Sequence, residues 1–441
     1  MADLILHGGR VIDPAGGVDR IADVRIERDV IAEIGPDLDA GDRFEVRDVS
    51  GCIVAPGLID GHVHFRDPGL TYKEDLESGA RSALAGGFVR VCCMPNTMPA
   101  LDTAERIRDI VERGGATGIH IHPIGTITVG RLLEDIAPLA EMAAAGTIGF
   151  SDDGESTRSE EAMLEALRLS AQLGLPIMVH CEDPVLASGG VLNEGDVSRD
   201  LGLRGIPSSA EENYIERDIA LAEQAGGWLH VLHVSTVRGA AMVREAKARG
   251  ANVTAEVMPH HMTLTDEWVA GRKRFAGSGD VLADLGHPDP NAVVNPPLRP
   301  ERDALGLSEF VRDGTFDFIA TDHAPHAEQD KPDDLRSASS GMLGLEFAIP
   351  SLAEVVRRGE LDWPLVIRML TANVAATLKL PGGSLAPGPA ADVTVIDPAR
   401  HWVVTPDAIR SRSKNTPLMG LQLQGRAVMT LVGGEILHDV L

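Results

Sequence analysis

The middle of the chain repeats a strand followed by a helix, and this alternation constrains the fold more than any other feature. From residue 54 to about residue 380, short apolar segments with strand character are each followed by a longer segment with helical periodicity. This is the pattern of βα units in an α/β protein with parallel strands. The predicted strands lie around residues 58–64, 88–94, 118–125, 147–151, 176–181, 228–234, 252–257 and 316–322. Eight such units favour a TIM (β/α)8 barrel over an open, doubly wound sheet.

Two of the connections are too long for simple loops. Residues 183–210 follow the fifth strand and residues 258–315 follow the seventh. Long loops at the carboxyl ends of barrel strands usually carry function. The second begins with His260 and His261, which we expect to line the pocket and to which we assign no role. Most other connections are helical, and a left-handed glycine cap is expected at the end of segments 103–115, 158–174, 211–227 and 236–250.

The two ends of the chain have a different pattern. Both alternate apolar and polar residues in short runs between Gly, Pro and Asp, which predicts small antiparallel sheets. The Gly- and Pro-rich segment 381–392 marks the return to this pattern. We therefore predict a small β-sandwich domain built from residues 1–53 and 385–441, and a barrel domain of residues 54–384.

A histidine pair ends the first predicted strand of the barrel. His62 and His64 lie in GLIDGHVHFRDPG, and residues i and i+2 of a strand point to the same face, so both imidazoles can reach one metal ion. The HxH pattern alone is only moderately specific, and the chain has a second copy at His120 and His122. Because only the first pair is followed by Arg66 and a tight turn, we assign a metal site to it and a structural role to the second.

The carboxyl ends of four further strands carry residues of the same chemistry. These candidates are Asp153, His180, His233 and Asp322. With the first histidine pair they give four His and two Asp at the ends of five strands, where barrel active sites lie. Imidazole and carboxylate ligands together suit zinc.

Neighbours of these residues leave some choices. Alternation does not decide between Asp152 and Asp153, because the last residue of that strand is uncertain. His230 and His233 are three residues apart and are expected to face opposite sides of their strand, so His233, nearer the end, is the better ligand. Cys181 is expected to point away from the site.

Charge and composition exclude several classes of protein. Asp and Glu outnumber Lys and Arg by 66 to 40, and the resulting charge of -26 repels nucleic acid and anionic membrane surfaces. The sequence has no run of 18 apolar residues and no basic leader, and its four cysteines have no CxxC spacing. We therefore predict a cytoplasmic protein with no nucleic-acid or membrane partner. Phosphate-loop, GxSxG and HExxH motifs are also missing, which excludes those chemistries.

The motifs together resemble one known family. In chain order, GLIDGHVHFRDPG, CMPNT, FSDDG, MVHCED, HVLHVST, NPPLR and ATDHAPH resemble the dihydroorotases of the amidohydrolase superfamily, most closely the class I bacterial type. The resemblance covers essentially the whole chain. It implies a zinc-dependent cyclic amide hydrolase that interconverts dihydroorotate and N-carbamoyl-L-aspartate in pyrimidine biosynthesis.

The resemblance also implies the metal ligands and the catalytic residue. By position, His62 and His64 would hold one zinc ion, His180 and His233 a second, and Asp153 would bridge them. Many relatives bridge with a carboxylated lysine, but GTIGFSDDG contains no lysine. Asp322, a further ligand, would take the proton of the metal-activated water that attacks the ring carbonyl and pass it to the departing nitrogen.

The substrate carries a carboxylate, and the resemblance implies which residues bind it. Arg66 offers a two-pronged donor, with Asn96 and His326 as companions. Asn295 and the backbone of Gly341 and Met342 would lie near the ring.

Two alternatives stay open. The first is a hydantoinase-like or allantoinase-like hydrolase. The second is a non-catalytic, dihydroorotase-like subunit of aspartate transcarbamoylase, although this chain retains the full set of candidate ligands. A homodimer is expected, and association with aspartate transcarbamoylase is compatible with an active enzyme.

Overall fold

In the computed structural model, which describes residues 3–441, strands and helices alternate through the middle of the chain. The strands are β1 (Leu4–Asp13), β2 (Val18–Glu27), β3 (Val30–Gly35), β4 (Glu45–Asp48), β5 (Ile53–Pro56), β6 (Leu58–Val63), β7 (Phe88–Cys93), β8 (His120–Pro123), β9 (Phe150–Ser151), β10 (Ile177–Val179), β11 (Leu192–Asn193), β12 (Gly205–Ile206), β13 (Leu229–Val231), β14 (Val253–Val257), β15 (Arg272–Lys273), β16 (Ala283–Asp284), β17 (Phe318–Ile319), β18 (Val393–Val403), β19 (Gln422–Val432) and β20 (Glu435–Asp439). The α-helices are α1 (Leu76–Gly86), α2 (Ala104–Gly114), α3 (Leu139–Ala145), α4 (Glu160–Leu173), α5 (Pro184–Ala187), α6 (Asp196–Asp200), α7 (Ser208–Ala225), α8 (Val237–Ala248), α9 (Pro259–Thr263), α10 (Glu301–Arg312), α11 (Ala348–Arg357), α12 (Trp363–Met369) and α13 (Ala372–Leu378). Short 3-10 helices cover Val129–Arg131, Asp266–Trp268, Pro290–Ala292, Glu328–Asp330 and Leu345–Phe347.

All eight strands predicted for the middle of the chain are present and parallel. One sheet contains β6, β7 and β8, and a second contains β9, β10, β13, β14 and β17 in that spatial order. Two isolated parallel bridges join these sheets. Gly125, after β8, pairs with Phe150 of β9, and Val63 of β6 pairs with His323, after β17. The carboxyl ends of the eight strands therefore face the same way.

The helices end largely as their glycines predict. α4 begins after Ser159, whose side chain accepts a hydrogen bond from the backbone of Ala162, and ends at Gly174 with φ 67°. Left-handed glycines also follow α7 and α8. α2 differs from the prediction, because Gly115 is right-handed with φ -60° and the chain turns instead at Gly118. No helix within residues 3–441 is long and apolar enough to span a bilayer.

Strands from both ends of the chain form a single eight-stranded sheet. Its order is β20-β19-β18-β5-β1-β2-β3, with β4 also paired to β1. The predicted antiparallel pairing is wrong for two pairs, since β1 runs parallel to β4 and β5. After β3, the chain crosses back over the sheet before β4 and β5 form. These two strands therefore lie beside β1 and run in the same direction as β1. At the far edge, Val30 of β3 bridges Ala390, just before β18.

Both long connections contain secondary structure of their own. Residues 183–210 hold α5, α6 and the short strand pair β11–β12, and residues 258–315 hold α9, the pair β15–β16 and α10. Both are therefore long connections after parallel strands, as predicted, but neither is an irregular loop throughout. α10 forms because acidic residues occupy its first turn and Leu307, Phe310 and Val311 share a buried face.

Candidate metal centre and its cavity

Two groups of potential metal ligands share one carboxylate. His62, His64 and Asp153 form the first group, and Asp153, His180 and His233 form the second. Within each group the ligand atoms lie within 4.8 Å of one another, and all the side chains are buried. These residues lie in or just after β6, β9, β10 and β13, so the parallel order of the strands brings them to one edge.

Asp153 lies between the histidines, whereas Asp152 does not. The Oδ1 of Asp153 is 3.2 Å from His233 Nε2, and its Oδ2 is 3.4 Å from His64 Nε2. The carboxylate of Asp152 accepts hydrogen bonds from the backbone N–H and the hydroxyl of Thr128, at 3.2 and 2.8 Å. The structure thus decides which of the two neighbouring carboxylates faces the cluster.

Asp322 approaches the first ligand group from the segment after β17. Its Oδ1 is 2.9 Å from His64 Nε2 and 3.6 Å from His62 Nε2. The φ angles of Asp322, His233 and Arg66 are 49°, 33° and 59°, a region that non-glycine residues rarely adopt. Regular pairing cannot continue through such residues, so β13 and β17 end earlier than predicted. Proteins retain backbone strain of this kind mainly at functional positions.

The charges in the cluster depend on one another. Burial raises the pKa of Asp153, but hydrogen bonds from His233 and His62 outweigh it and hold that pKa well below its usual value. Burial likewise opposes ionisation of Asp322, and the charge of His62 together with a hydrogen bond from His64 lowers its pKa. Both carboxylates are therefore anionic at neutral pH, as metal ligands must be.

The facing imidazole nitrogens fit a bound cation. The Nδ1 of His62 is 2.7 Å from Glu256 Oε1, and the Nδ1 of His64 is 2.8 Å from Asn96 Oδ1. Both partners are acceptors, so each Nδ1 carries a proton and each Nε2 is the nitrogen that would release its proton to a bound metal ion. These two Nε2 atoms are only 3.3 Å apart and lie beside the carboxylate of Asp153. Ring nitrogens and an anion gathered this closely favour a metal ion among them.

A cavity of about 230 Å³ opens beside the cluster. The predicted site residues on its wall are His64, Arg66, Asn96, Asp153, His180, His233, Asn295, Asp322, His326 and Gly341. Two predicted residues are not on the wall. His62 lies beneath the other ligands, and Met342 packs into an apolar cluster while its carbonyl oxygen accepts from the Ala324 N–H at 2.8 Å.

Asn295 contacts His180, one of the candidate ligands. Its Nδ2 is 3.3 Å from His180 Nε2, and its Oδ1 is buried without a hydrogen-bond partner among the described residues. If the amide is rotated by 180°, Oδ1 accepts from His180 Nε2–H and leaves His180 Nδ1 free as a ligand. In either orientation the amide of Asn295 contacts the ring of His180.

Arg66 is a buried guanidinium that lacks a carboxylate partner in the part of the chain that the structure describes. Its Nε donates to the carbonyl oxygen of Pro325 at 3.2 Å, and its Nη2 is 3.3 Å from His326 Nε2. Burial lowers the pKa of Arg66 to about 10, so the group stays charged at neutral pH. Because a buried charge without a counter-charge is costly, this arrangement favours an anionic ligand in the cavity.

Glu256, the buried acidic residue of β14, contacts the cluster although the sequence pattern did not predict it. Its Oε1 contacts His62, and its Oε2 is 3.3 Å from His230 Nε2. His230 therefore shares the interior with His233, and the prediction that they face opposite sides is wrong. β13 ends at Val231, so strand alternation does not extend to His233. A single charged residue in the apolar run VTAEV was the available signal for Glu256.

The other singled-out residues lie away from the cavity. His260 and His261, expected at the pocket, belong to the short helix α9, where their rings pack together with centroids 4.4 Å apart. His120 and His122 pair with an aspartate and an arginine outside the cluster. Cys181 lies in the main apolar core.

Solved structures with this fold include hydantoinases. The L-hydantoinase (dihydropyrimidinase) from Arthrobacter aurescens superposes with a TM-score of 0.85 at 26% identity, covering 100% of this chain and 96% of that chain. A dihydropyrimidinase from Brevibacillus agri NCHU1002 gives a TM-score of 0.80 at 22% identity, covering 99% and 95%. The fold and the buried His and Asp cluster together define a protein of the amidohydrolase class.

Relatives in sequence narrow this class to one family. A family model described as dihydro-orotase-like matches residues 51–238. The dihydroorotase of Geobacter sp. (strain M21) is 43% identical over 438 residues, and that of Syntrophotalea carbinolica (strain DSM 2380 / NBRC 103641 / GraBd1) is 44% identical over 436 residues. Each match covers 99% of both chains. The chain belongs to the dihydroorotase family.

Proposed function

We propose that this protein is a metal-dependent dihydroorotase that interconverts dihydroorotate and N-carbamoyl-L-aspartate in pyrimidine biosynthesis. One observation carries the proposal. A ligand cluster with a shared carboxylate lies in the same cavity as Arg66, a buried cation without a carboxylate partner in residues 3–441. Dihydroorotate brings both a cyclic amide for the cluster and a carboxylate for the guanidinium, whereas hydantoin brings only the ring.

We assign two zinc ions to the cluster. His62 and His64 would hold one, His180 and His233 the other, and the carboxylate of Asp153 would lie between them. Histidine nitrogens and carboxylate oxygens are ligands that zinc prefers. Bound there, zinc supplies Lewis-acid polarisation of the scissile carbonyl and lowers the pKa of water.

The remaining side chains bind substrate and move protons. Asp322, held anionic by its neighbours, accepts the proton of the attacking water and returns it to the departing amide nitrogen. Arg66 binds the substrate carboxylate through its Nη atoms, flanked by Asn96 and His326. Gly341 lets the backbone pack closely against the wall of the cavity, since a Cβ at that position would lie 2.7 Å from the Cβ of Ala324 and 3.1 Å from His326 Nε2.

Finer assignments belong to the same proposal. The Asp153 bridge, in a segment without lysine, supports the class I type. The two isolated bridges between the parallel sheets support a closed (β/α)8 barrel over residues 54–384. An isolated bridge joins Val30, in the edge strand β3 of the terminal sheet, to Ala390, just before β18. This contact between the N- and C-terminal parts of the sheet supports a sandwich of residues 1–53 and 385–441. The homodimer, the aspartate transcarbamoylase partner and the cytoplasmic location stay predictions.

Parallel assays of dihydroorotate, hydantoin and allantoin with the zinc-loaded protein test this function. We expect dihydroorotate to be the preferred substrate. Arg66→Ala should raise its KM by about 10- to 100-fold, the worth of a charge-assisted hydrogen bond. Comparable or faster turnover of hydantoin would contradict the substrate assignment. A purified protein without zinc, and without turnover after zinc addition, would instead favour a non-catalytic subunit.

A further inference from the structure

A lysine that the proposed chemistry does not use lies behind His326. Lys73, in the turn before α1, is only 9% exposed, and its Nζ is 3.2 Å from His326 Nδ1. The same Nζ is 3.4 Å from Asp330 Oδ2. A buried ammonium is costly even when it is paired, so its position beside the cavity calls for a reason.

The contacts of His326 determine which of its nitrogens carries the proton. An ammonium can only donate, so His326 Nδ1 accepts from Lys73 and carries no hydrogen. The proton of the neutral ring is then on Nε2, which donates to the carbonyl oxygen of Ser340 at 2.9 Å. Burial, together with the charges of Arg66, Lys331 and Lys73, lowers the pKa of His326 and maintains the neutral ring.

This tautomer leaves the guanidinium of Arg66 available to a ligand. The Nη2 of Arg66 is 3.3 Å from His326 Nε2, but two N–H groups that face each other cannot form a hydrogen bond. Within residues 3–441, the acceptor that Arg66 retains is the carbonyl of Pro325, which binds Nε. Without Lys73, the carbonyl of Ser340 alone holds the proton on Nε2, and the tautomer with the proton on Nδ1 becomes accessible. In that tautomer, His326 Nε2 accepts a hydrogen bond from Arg66 Nη2. This N–H of Arg66 is then no longer available to a bound carboxylate.

We propose that Lys73 is a positioning residue that keeps the carboxylate-binding donors of Arg66 free by fixing the imidazole proton of His326 on Nε2. The inference rests on the proposed function, because it takes the anion bound at Arg66 to be the substrate carboxylate. A positioning role and a purely structural role for Lys73 predict different effects of its removal. The effect of removing Lys73 must fall on substrate binding and must depend on His326.

Steady-state kinetics of Lys73→Met in the full-length, zinc-loaded protein test the inference. We expect the KM for dihydroorotate to rise about tenfold while kcat stays within about threefold, since a binding interaction is lost and the reacting groups are untouched. The matched control, Lys73→Arg, keeps a buried cationic donor and should restore most of the affinity. An unchanged KM, or a fall confined to kcat, would overturn the inference. Wild-type protein that does not turn over dihydroorotate would defeat the proposed function instead.

A double-mutant cycle separates positioning from general damage. If Lys73 acts through His326, then adding Lys73→Met to His326→Gln should change KM by less than about twofold. Independent, multiplying effects would count against the inference.

Asp330→Asn provides a second variant should Lys73→Met fold poorly. It removes the carboxylate that favours the charged, donating form of Nζ, so we expect a higher KM for dihydroorotate, as in Lys73→Met but smaller. A lowered or unchanged KM would contradict the proposed role of Lys73.

Discussion

At the scale of single residues, the candidate ligands are oriented by groups that are not ligands themselves. Glu256 receives the Nδ1 proton of His62, and Asn96 receives that of His64. Such contacts decide which imidazole nitrogen faces the cluster and hold the ring at one angle. The geometry of the centre therefore depends on residues other than the six candidates at the strand ends.

Glu256→Gln should weaken zinc binding by about 10- to 100-fold, the usual effect of losing a partner of a ligand histidine. A chelator-competition titration of the purified protein measures this directly. Glu346→Gln is a matched control, because Glu346 is also buried but binds the backbone of Arg410 and Ser411. Equal zinc affinities in the wild type and Glu256→Gln would show that the contact is not needed.

Asp322→Asn should lower kcat for dihydroorotate by about 10²- to 10⁴-fold, because it removes the group proposed to transfer the proton. Zinc content and KM should change much less, because the five other candidate ligands remain. Asp152→Asn is the neighbouring-carboxylate control. Its carboxylate binds Thr128, so we expect kcat to remain within a few-fold of wild type. A variant at Asp322 with nearly normal kcat would remove this residue from the mechanism.

At the scale of elements, one buried ion pair ties the two long connections to the loop after β13. Arg299 Nη2 is 3.1 Å from Glu211 Oε2 in α7, and Arg299 Nη1 is 3.0 Å from Asn193 Oδ1 in β11. Arg299 Nε also donates to the hydroxyl of Ser235 at 2.9 Å, two residues after the candidate ligand His233. Elements distant in sequence thus share one fixed contact close to the cluster.

Removing either partner of this pair should destabilise the fold strongly. We expect Glu211→Gln or Arg299→Met to lower the free energy of unfolding by about 3–5 kcal/mol, because each leaves a buried charge or its partners unpaired. Urea denaturation provides the measurement. The double variant should lose less than the sum of the single losses. A single variant within about 1 kcal/mol of wild type would contradict a structural role for the pair.

Lys331 gives this region a dependence on pH. Its Nζ donates to the carbonyl oxygens of Val293 and Pro290, and burial lowers its pKa to about 7 from an ordinary 10.5. Between these two values the unfolded chain binds more protons than the folded one, so the contribution of Lys331 to stability rises with pH and is lost as pH falls towards 7.

The difference in unfolding free energy between wild type and Lys331→Met isolates this contribution. We expect it to change across pH 7 to 10 in favour of the wild type, with a slope of up to about 1.4 kcal/mol per pH unit. A difference that does not vary with pH would show that Lys331 titrates normally in the folded protein.

At the scale of the whole molecule, an acidic protein concentrates positive charge at one place. The net charge is -26, yet Arg66, Lys73 and Lys331 lie close enough together to lower the pKa of His326 jointly with its burial. The excess of carboxylates is spread over the rest of the molecule. The wall around His326 therefore carries a cluster of positive charge within a molecule that is acidic overall.

Self-repulsion of this charge should make stability depend on salt. Raising NaCl from about 0.02 to 0.2 M should raise the Tm at pH 7.5, because the Debye length shortens and the repulsion between surface carboxylates weakens. Calorimetry at several salt concentrations measures the effect, and potassium glutamate serves as a control for chloride binding. A Tm that falls with added salt would show that surface ion pairs dominate.

The sequence predicts the parts of this molecule that follow a regular period. The eight parallel strands and the pair His62 and His64 could be predicted because apolar runs and i, i+2 spacing survive to those points. The choice of Asp153 and the inward direction of His230 could not, since regular strand geometry fails near the strand ends. Glu256 and the parallel pairing of β1 depend on contacts between distant segments, which no local pattern encodes.

The pairing of strands from opposite ends also sets the order in which the protein can be completed. β5 ends at residue 56 but has β18, starting at residue 393, as its partner, and β6 is joined to the segment at His323. During synthesis, β5 therefore leaves the ribosome more than 300 residues before its partner β18 exists. Until then it presents an unpaired edge, which invites aggregation or the help of a chaperone. A chain whose synthesis stops before β18 is made thus has an N-terminal sheet in which β5 lacks one of its two partners.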